Sequence, residues 1–135
     1  MTEEHPWGHD APLVVRHRVR VLIAGNVDVA LAGEQARAFA APVGLSTRAI
    51  ESLATAVSEI AHLIVAHGRG GEIVFDAMED GHRRGVAVTA TGARPGSAVA
   101  RVRRLVDEFE LVASPDGATV TMAKWADSPV YGTSR

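Results

Sequence analysis

The strongest constraint on this chain is a run of apolar residues at helical spacing. Ile50, Leu53, Ala54, Val57, Ile60, Ala61, Ile64 and Val65 recur at steps of three and four, which places them on one stripe of an α-helix. Such a stripe must be buried, and each fully buried large aliphatic side chain contributes roughly 1.5–3 kcal/mol, so the fold is organised around this helix. Ser46 is placed to cap its start, and Gly68, Gly70 and Gly71 follow His67 where left-handed geometry would end it. The opposite face carries Ser52, Thr55, Glu59 and His62, with Leu63 and Ala66 beside them. Glu59 and Leu63 are four residues apart and point the same way.

Around this helix the chain alternates between two periodicities. Residues 13–24 are rich in β-branched side chains and predict a strand that ends at Gly25 and Asn26. Asp28 is placed as the N-cap of a helix over 28–41, with Leu31, Ala32, Ala36, Phe39 and Ala40 inward and Pro42 and Gly44 stopping it. Residues 72–77 and 85–90 read as two strands joined through Glu79, Asp80, Gly81 and His82, where Asp-Gly favours a tight hairpin. A loop containing Gly92, Pro95 and Gly96 precedes a helix with Val99, Val102, Leu105, Val106 and Phe109 inward. Two last strands, 110–114 and 118–125, flank Pro115, Asp116 and Gly117. The order β α α β β α β β predicts an α+β two-layer sandwich: of an antiparallel or a mixed sheet the expectation is the mixed one, with three helices on one face. The domain spans 13–125, between a flexible arm over 1–12 and a flexible tail over 126–135.

At 135 residues the chain is one domain that needs no disulfide or metal staple. Without cysteine it has no thiol chemistry, and it fits a reducing compartment. A net charge of -2 gives no long-range attraction to nucleic acid. The first apolar run, 13–15, stops at Arg16, and no stretch approaches the roughly 18 apolar residues of a membrane span. The expectation is a soluble cytoplasmic protein without nucleic-acid or membrane partners. His62 and His67 are not on one helix face, and no third ligand is placed beside them, so no metal site is expected.

Several separated blocks, taken together, resemble one family. They are Asp28-Val29 with Arg37 and Ala40; Gly44-Leu45-Ser46; Ala54 through Ala61; Val102 through Phe109; Asp116 through Val120; and Lys124-Trp125. In this order and spacing they are similar to the anti-sigma regulatory serine kinases of the RsbT type, within the GHKL (HATPase_c) superfamily. The resemblance implies a Bergerat-type fold, and a STAS-domain partner whose serine the family's kinases phosphorylate with Mg-ATP.

Three family motifs are altered. The family's E-x-x-x-N keeps Glu59, the residue that helps activate the attacking hydroxyl, but Leu63 stands where asparagine would coordinate magnesium. Magnesium takes oxygen ligands, and leucine offers none. In the D-x-G-P-G box, whose aspartate accepts from the adenine amine, Gly92 replaces the aspartate and Arg94 the first glycine, while Pro95 and Gly96 remain. Loss of that acceptor costs about 1–3 kcal/mol. The glycine-rich lid that cradles phosphates is missing, since Gly96 runs through residues 97–100 directly into Arg101.

The degenerate nucleotide pocket is therefore assigned to Leu63, Gly92, Arg94, Pro95, Gly96 and Thr119, with Glu59 as a vestigial general base. Thr119 also reads as an ordinary strand residue, and Glu59 as a partly buried polar residue or a partner contact. Arg94, Arg101 and Arg104 form a candidate partner-binding cluster; the competing reading is a solvated helix face paired with Asp107 and Glu108. The expected function is an RsbT-like regulatory switch that binds a STAS-domain protein without kinase activity and without a cofactor. The alternative is an active serine protein kinase using ATP and magnesium. A homodimer is compatible with either.

Overall fold

A computed structural model describes residues 14–94, 96–115 and 117–126. The expected arm over 1–12, most of the expected tail, Pro95 and Asp116 lie outside the described residues. The elements are β1 (Val14–Ile23), α1 (Asn26–Ala40), a 3-10 turn (Ala41–Val43), α2 (Thr47–His67), β2 (Gly71–Glu79), β3 (Arg84–Ala93), α3 (Ala98–Leu105), β4 (Glu108–Ser114) and β5 (Gly117–Trp125). The strands form one sheet in the order β1-β2-β3-β5-β4. Every pairing is antiparallel, which corrects the expected mixed sheet: each strand is joined to its neighbours without a parallel crossover. This is an α+β two-layer sandwich with the helices on one face.

α2 forms as its sequence dictates. The Ser46 hydroxyl accepts from the Ala49 N–H at 3.1 Å, and Gly68 ends the helix at φ 83°, its N–H donating to the Ile64 and Val65 carbonyls. Leu53, Val57, Ile60 and Ile64 are fully buried, together with Phe75 of β2, Val86 and Val88 of β3, and Val102 of α3. Ile50 and Val65 are half-buried at the margin. By length and composition α2 could cross a membrane, contrary to the expectation that no stretch comes close. Its hydropathy is accounted for by its place at the centre of the core.

Three local expectations are corrected. Gly25, not Asp28, is the N-cap of α1; Asp28 lies in the first turn, and its carboxylate accepts from the Ala24 and Gly25 N–H groups at 2.8 and 3.0 Å. Those two hydrogen bonds hold its pKa below the ordinary carboxylate value. Leu31 is exposed, because α1 buries the face of Val29, Ala32, Gly33 and Ala36. Gly33 sits where a Cβ would lie 2.8 Å from the Ser58 hydroxyl, so α1 and α2 pack closely there. Phe109 belongs to β4 and not to a helix. α3 stops at Leu105 because Val106 is extended and the Asp107 N–H donates to the Ala123 carbonyl at 2.9 Å, so pairing with β5 replaces the next helical turn.

The face of the sheet away from the helices is organised by charge at one side and by an indole at the other. Arg18 on β1 forks onto the buried Asp76 of β2 at 2.6 and 3.2 Å, with the Arg20–Glu72 pair beside it. Trp125 covers Gly85, donates its Nε1–H to Glu108 at 2.7 Å and carries the Arg83 guanidinium 3.7 Å above its ring.

The β2–β3 hairpin is held by a buried carboxylate. Asp80 accepts from the His82 and Arg83 N–H groups at 3.1 and 2.9 Å and from the Arg83 guanidinium at 3.2 Å. Burial by itself would raise its pKa, but these donors outweigh it and hold the group below 3.8. A depressed pKa stabilises the fold above the unfolded value and loses that contribution as pH falls. Asp80→Ala is expected to cost about 1–3 kcal/mol at pH 7, and the wild-type advantage is expected to shrink as pH falls through and below about 3.8. Urea denaturation of both proteins across that range checks it; a gap that does not narrow with acid would contradict the assignment.

Candidate functional site

The exposed flank of α2 meets α3 and the end of β3 where the family resemblance locates a nucleotide. β3 ends at Ala93 and α3 begins at Ala98, so the connection is residues 94–97. With Val102 fully buried, α3 packs on α2, and the short connection leaves no span for a lid.

This packing decides the state of Glu59. Its carboxylate lies 3.1 Å from the Arg101 guanidinium on α3, in an ion pair at the surface. Arg101 is thus already engaged within the chain. Arg103 stacks over Phe109 at 5.0 Å, while Arg104 is exposed, with no acidic partner among the described residues. The alternative pairing of these arginines with Asp107 and Glu108 does not form. Asp107 instead accepts from the Trp125 backbone N–H at 2.8 Å and sits 3.5 Å from Lys124, and Glu108 holds the indole.

Leu63, Arg94 and Gly96 do come together, lining a cavity of about 450 Å³ with Ala66, His67 and Arg69. Sequence reasoning missed the last three. His67 was legible in principle, since it is eight residues from Glu59 and four from Leu63, on the same helical flank. Arg94 Nε donates to His67 Nδ1 at 3.2 Å, which requires Nδ1 to be bare and, in the neutral ring, puts the proton on Nε2. Nε2 is buried and finds no acceptor among the described residues. Arg69 and Arg94 are both exposed, without a carboxylate partner among the described residues.

Two expected pocket residues do not line this cavity. Thr119 lies between Thr91 of β3 and Val112 of β4, and its side of the strand is the sheet face away from the helices. Gly92 is a bulge residue at φ 96°, where the β3–β5 register shifts. A Cβ on Gly92 would lie 2.5 Å from the Gly70 carbonyl oxygen and 2.9 Å from Gly71 Cα. The position therefore has no room for an aspartate, quite apart from lacking one. Pro95 lies outside the described residues.

No family model matches the chain, and no curated protein matches it. The fold is similar to the crystal structure of the RsbU and RsbW domains of Rv1364c from Mycobacterium tuberculosis. The TM-score is 0.64 at 22% identity, and the match covers 81% of this chain and 32% of that one. The likeness is one of fold, and the chain spans about a third of the length of that neighbour. The match is to a protein with an RsbW domain, and it does not carry the finer assignment to the RsbT type.

At the positions where the resemblance expects a magnesium nucleotide, the residues differ from those it calls for. Leu63 supplies no oxygen to a metal, Gly92 cannot hold a base-recognising carboxylate, and residues 94–97 are too few to cradle phosphates. Leu63→Asn is expected to leave nucleotide binding unrestored. Gly92→Asp is expected to destabilise the fold by at least about 1–3 kcal/mol through backbone strain and the clash with Gly70. Thermal unfolding with and without Mg-ATP tests both; a stable Gly92→Asp protein whose melting rises with nucleotide would refute the steric claim.

Proposed function

We propose that this chain is a non-catalytic switch protein of the anti-sigma regulatory class, GHKL in fold and RsbT-like in role. It docks on a STAS-domain regulatory protein in the cytoplasm and titrates it without phosphorylating it. The observation that carries this reading is the Glu59–Arg101 ion pair, made by a helix that packs where the family has its lid. The pair commits a carboxylate oxygen of Glu59 to Arg101, the contact that a substrate hydroxyl would otherwise need. The cavity beside it offers Arg69 and Arg94 over the apolar Leu63 and Ala66, a surface suited to an acidic side chain flanked by apolar ones. The docking cluster in this reading is Arg69 with Arg94 and Arg104, and Arg101 serves the fold.

The alternative, an active serine kinase using Mg-ATP, rests on the retained Glu59. Incubation with labelled ATP and a STAS-domain protein separates the two. No label is expected on the partner, and label that disappears in Glu59→Ala would overturn the non-catalytic reading. In surface plasmon resonance the Arg69→Glu, Arg94→Glu double variant is expected to bind that partner about tenfold more weakly, chiefly through slower association and more so at low salt. Unchanged association would move the interface elsewhere. Arg101→Ala is expected to cost no more than about 1 kcal/mol, since its ion pair with Glu59 is solvent-screened.

A further inference from the structure

A second cavity lies at the other end of the sheet. The pairing of β2 with β3 runs from Glu72 opposite Thr91, near the site above, to Glu79 opposite Arg84 at the far end. There α1 gives way at Ala40 to the 3-10 turn containing Pro42, while the β1–β2 register shifts between Val15 and His17. Both irregularities lie beside the cavity. The small side chains of Ala38 and Ala77 line the gap without filling it, leaving about 510 Å³. That is within the roughly 300–1,000 Å³ of small-molecule pockets.

The walls have a definite chemistry. His17 stacks flat against Phe39, with ring centroids 5.3 Å apart and planes at 11°, and Phe39 in turn tilts onto Phe75 at 5.9 Å. Val19 and Val43 extend this apolar surface. The polar groups are few. Gln35 offers an amide, and Arg16 and Glu79 neutralise each other in an ion pair at 3.0 Å. Arg84 also lines the cavity, is exposed and has no acidic partner among the described residues, so the lining carries an uncompensated positive charge.

We propose that this cavity binds a small amphipathic anion: a flat aromatic body with a single carboxylate or sulfonate. The body lies against Phe39 and His17, and the anionic head meets the Arg84 guanidinium, whose fork suits a planar two-oxygen group. The aromatic stack selects a flat body and the charge balance selects an anion over a neutral molecule or a cation. The site is independent of the degenerate pocket and of the partner-binding reading.

The probe is 8-anilinonaphthalene-1-sulfonate, whose fluorescence rises in apolar surroundings, with neutral N-phenyl-1-naphthylamine as the uncharged counterpart. Saturable one-site binding of the anion is expected, weakened about tenfold by Arg84→Ala, while the neutral probe is indifferent to that change. Ala38→Phe, at an exposed position of α1 that lines the cavity, is expected to abolish binding of both. Amide shifts in a ¹⁵N spectrum of the wild-type chain with the anion are expected at His17, Phe39, Val43 and Arg84. The spectrum keeps the test decisive even if Ala38→Phe folds poorly. Equal binding of anion and neutral probe, indifference to Arg84→Ala, shifts centred on Leu63 and Gly96, or no saturation would each overturn the proposal.

Discussion

The burial of one face of α2 sets the geometry of everything else. Leu53, Val57, Ile60 and Ile64 are fully excluded from water together with Phe75, Val86, Val88 and Met122 of the sheet. With that face committed, Glu59, Leu63 and His67 are carried as a row along the adjacent flank, since residues four apart lie nearly above one another. The site thus inherits its register from the core. The close packing of α1 at Gly33 over Ser58 fixes α2 from the other side, so the row cannot rotate without breaking both contacts.

The end of the sheet beneath that row is made of backbone. Gly71 has no room for a side chain, as a Cβ would fall 2.1 Å from the Thr91 carbonyl oxygen, and Gly92 crosses close to Gly70. Only glycine permits strands and turns to approach in this way. The consequence is chemical as well as steric. Side chains at this end of the sheet cannot come from Gly71 or Gly92, and come from α2 and the connection to α3, which supply His67 and Arg94. That connection is short, and α3 consequently lies against α2 and closes Arg101 onto Glu59.

The outer face of the sheet is stabilised differently. Arg18 and Arg20 lie along the edge strand β1, each with a carboxylate of β2. Charged side chains on an edge also discourage pairing with another chain. At the far strands, Met78, Ala87, Ala123 and Trp125 form a small apolar cluster, closed by the Arg83 guanidinium over the indole. The two faces thus divide the labour: the helix side supplies the hydrophobic free energy, and the outer side adds pairwise contacts whose geometry depends on strand register.

How much of this was legible beforehand follows from the range of the forces involved. The sequence by itself determined α2 with both of its caps, its buried stripe, the β2–β3 hairpin and the two-layer class. Periodicity and capping act within a few residues, and here local preference and global packing agree. It also showed where Leu63, Gly92 and Arg94 differ from the motifs of the family the chain resembles, because those are matters of residue identity. Tertiary structure decided what depends on neighbours far along the chain. Leu31 turned outward because α1 meets α2 on another face. Phe109 became a strand residue because the Asp107 N–H found Ala123, and Thr119 faced away from the helices because β3–β5 register set its side. The Glu59–Arg101 pair spans 42 residues and the Arg94–His67 contact 27, distances over which no local pattern can say which side chains will meet. The steric closure at Gly92 is of the same kind, since the atoms that forbid a side chain there belong to Gly70 and Gly71, brought close only when the sheet has formed.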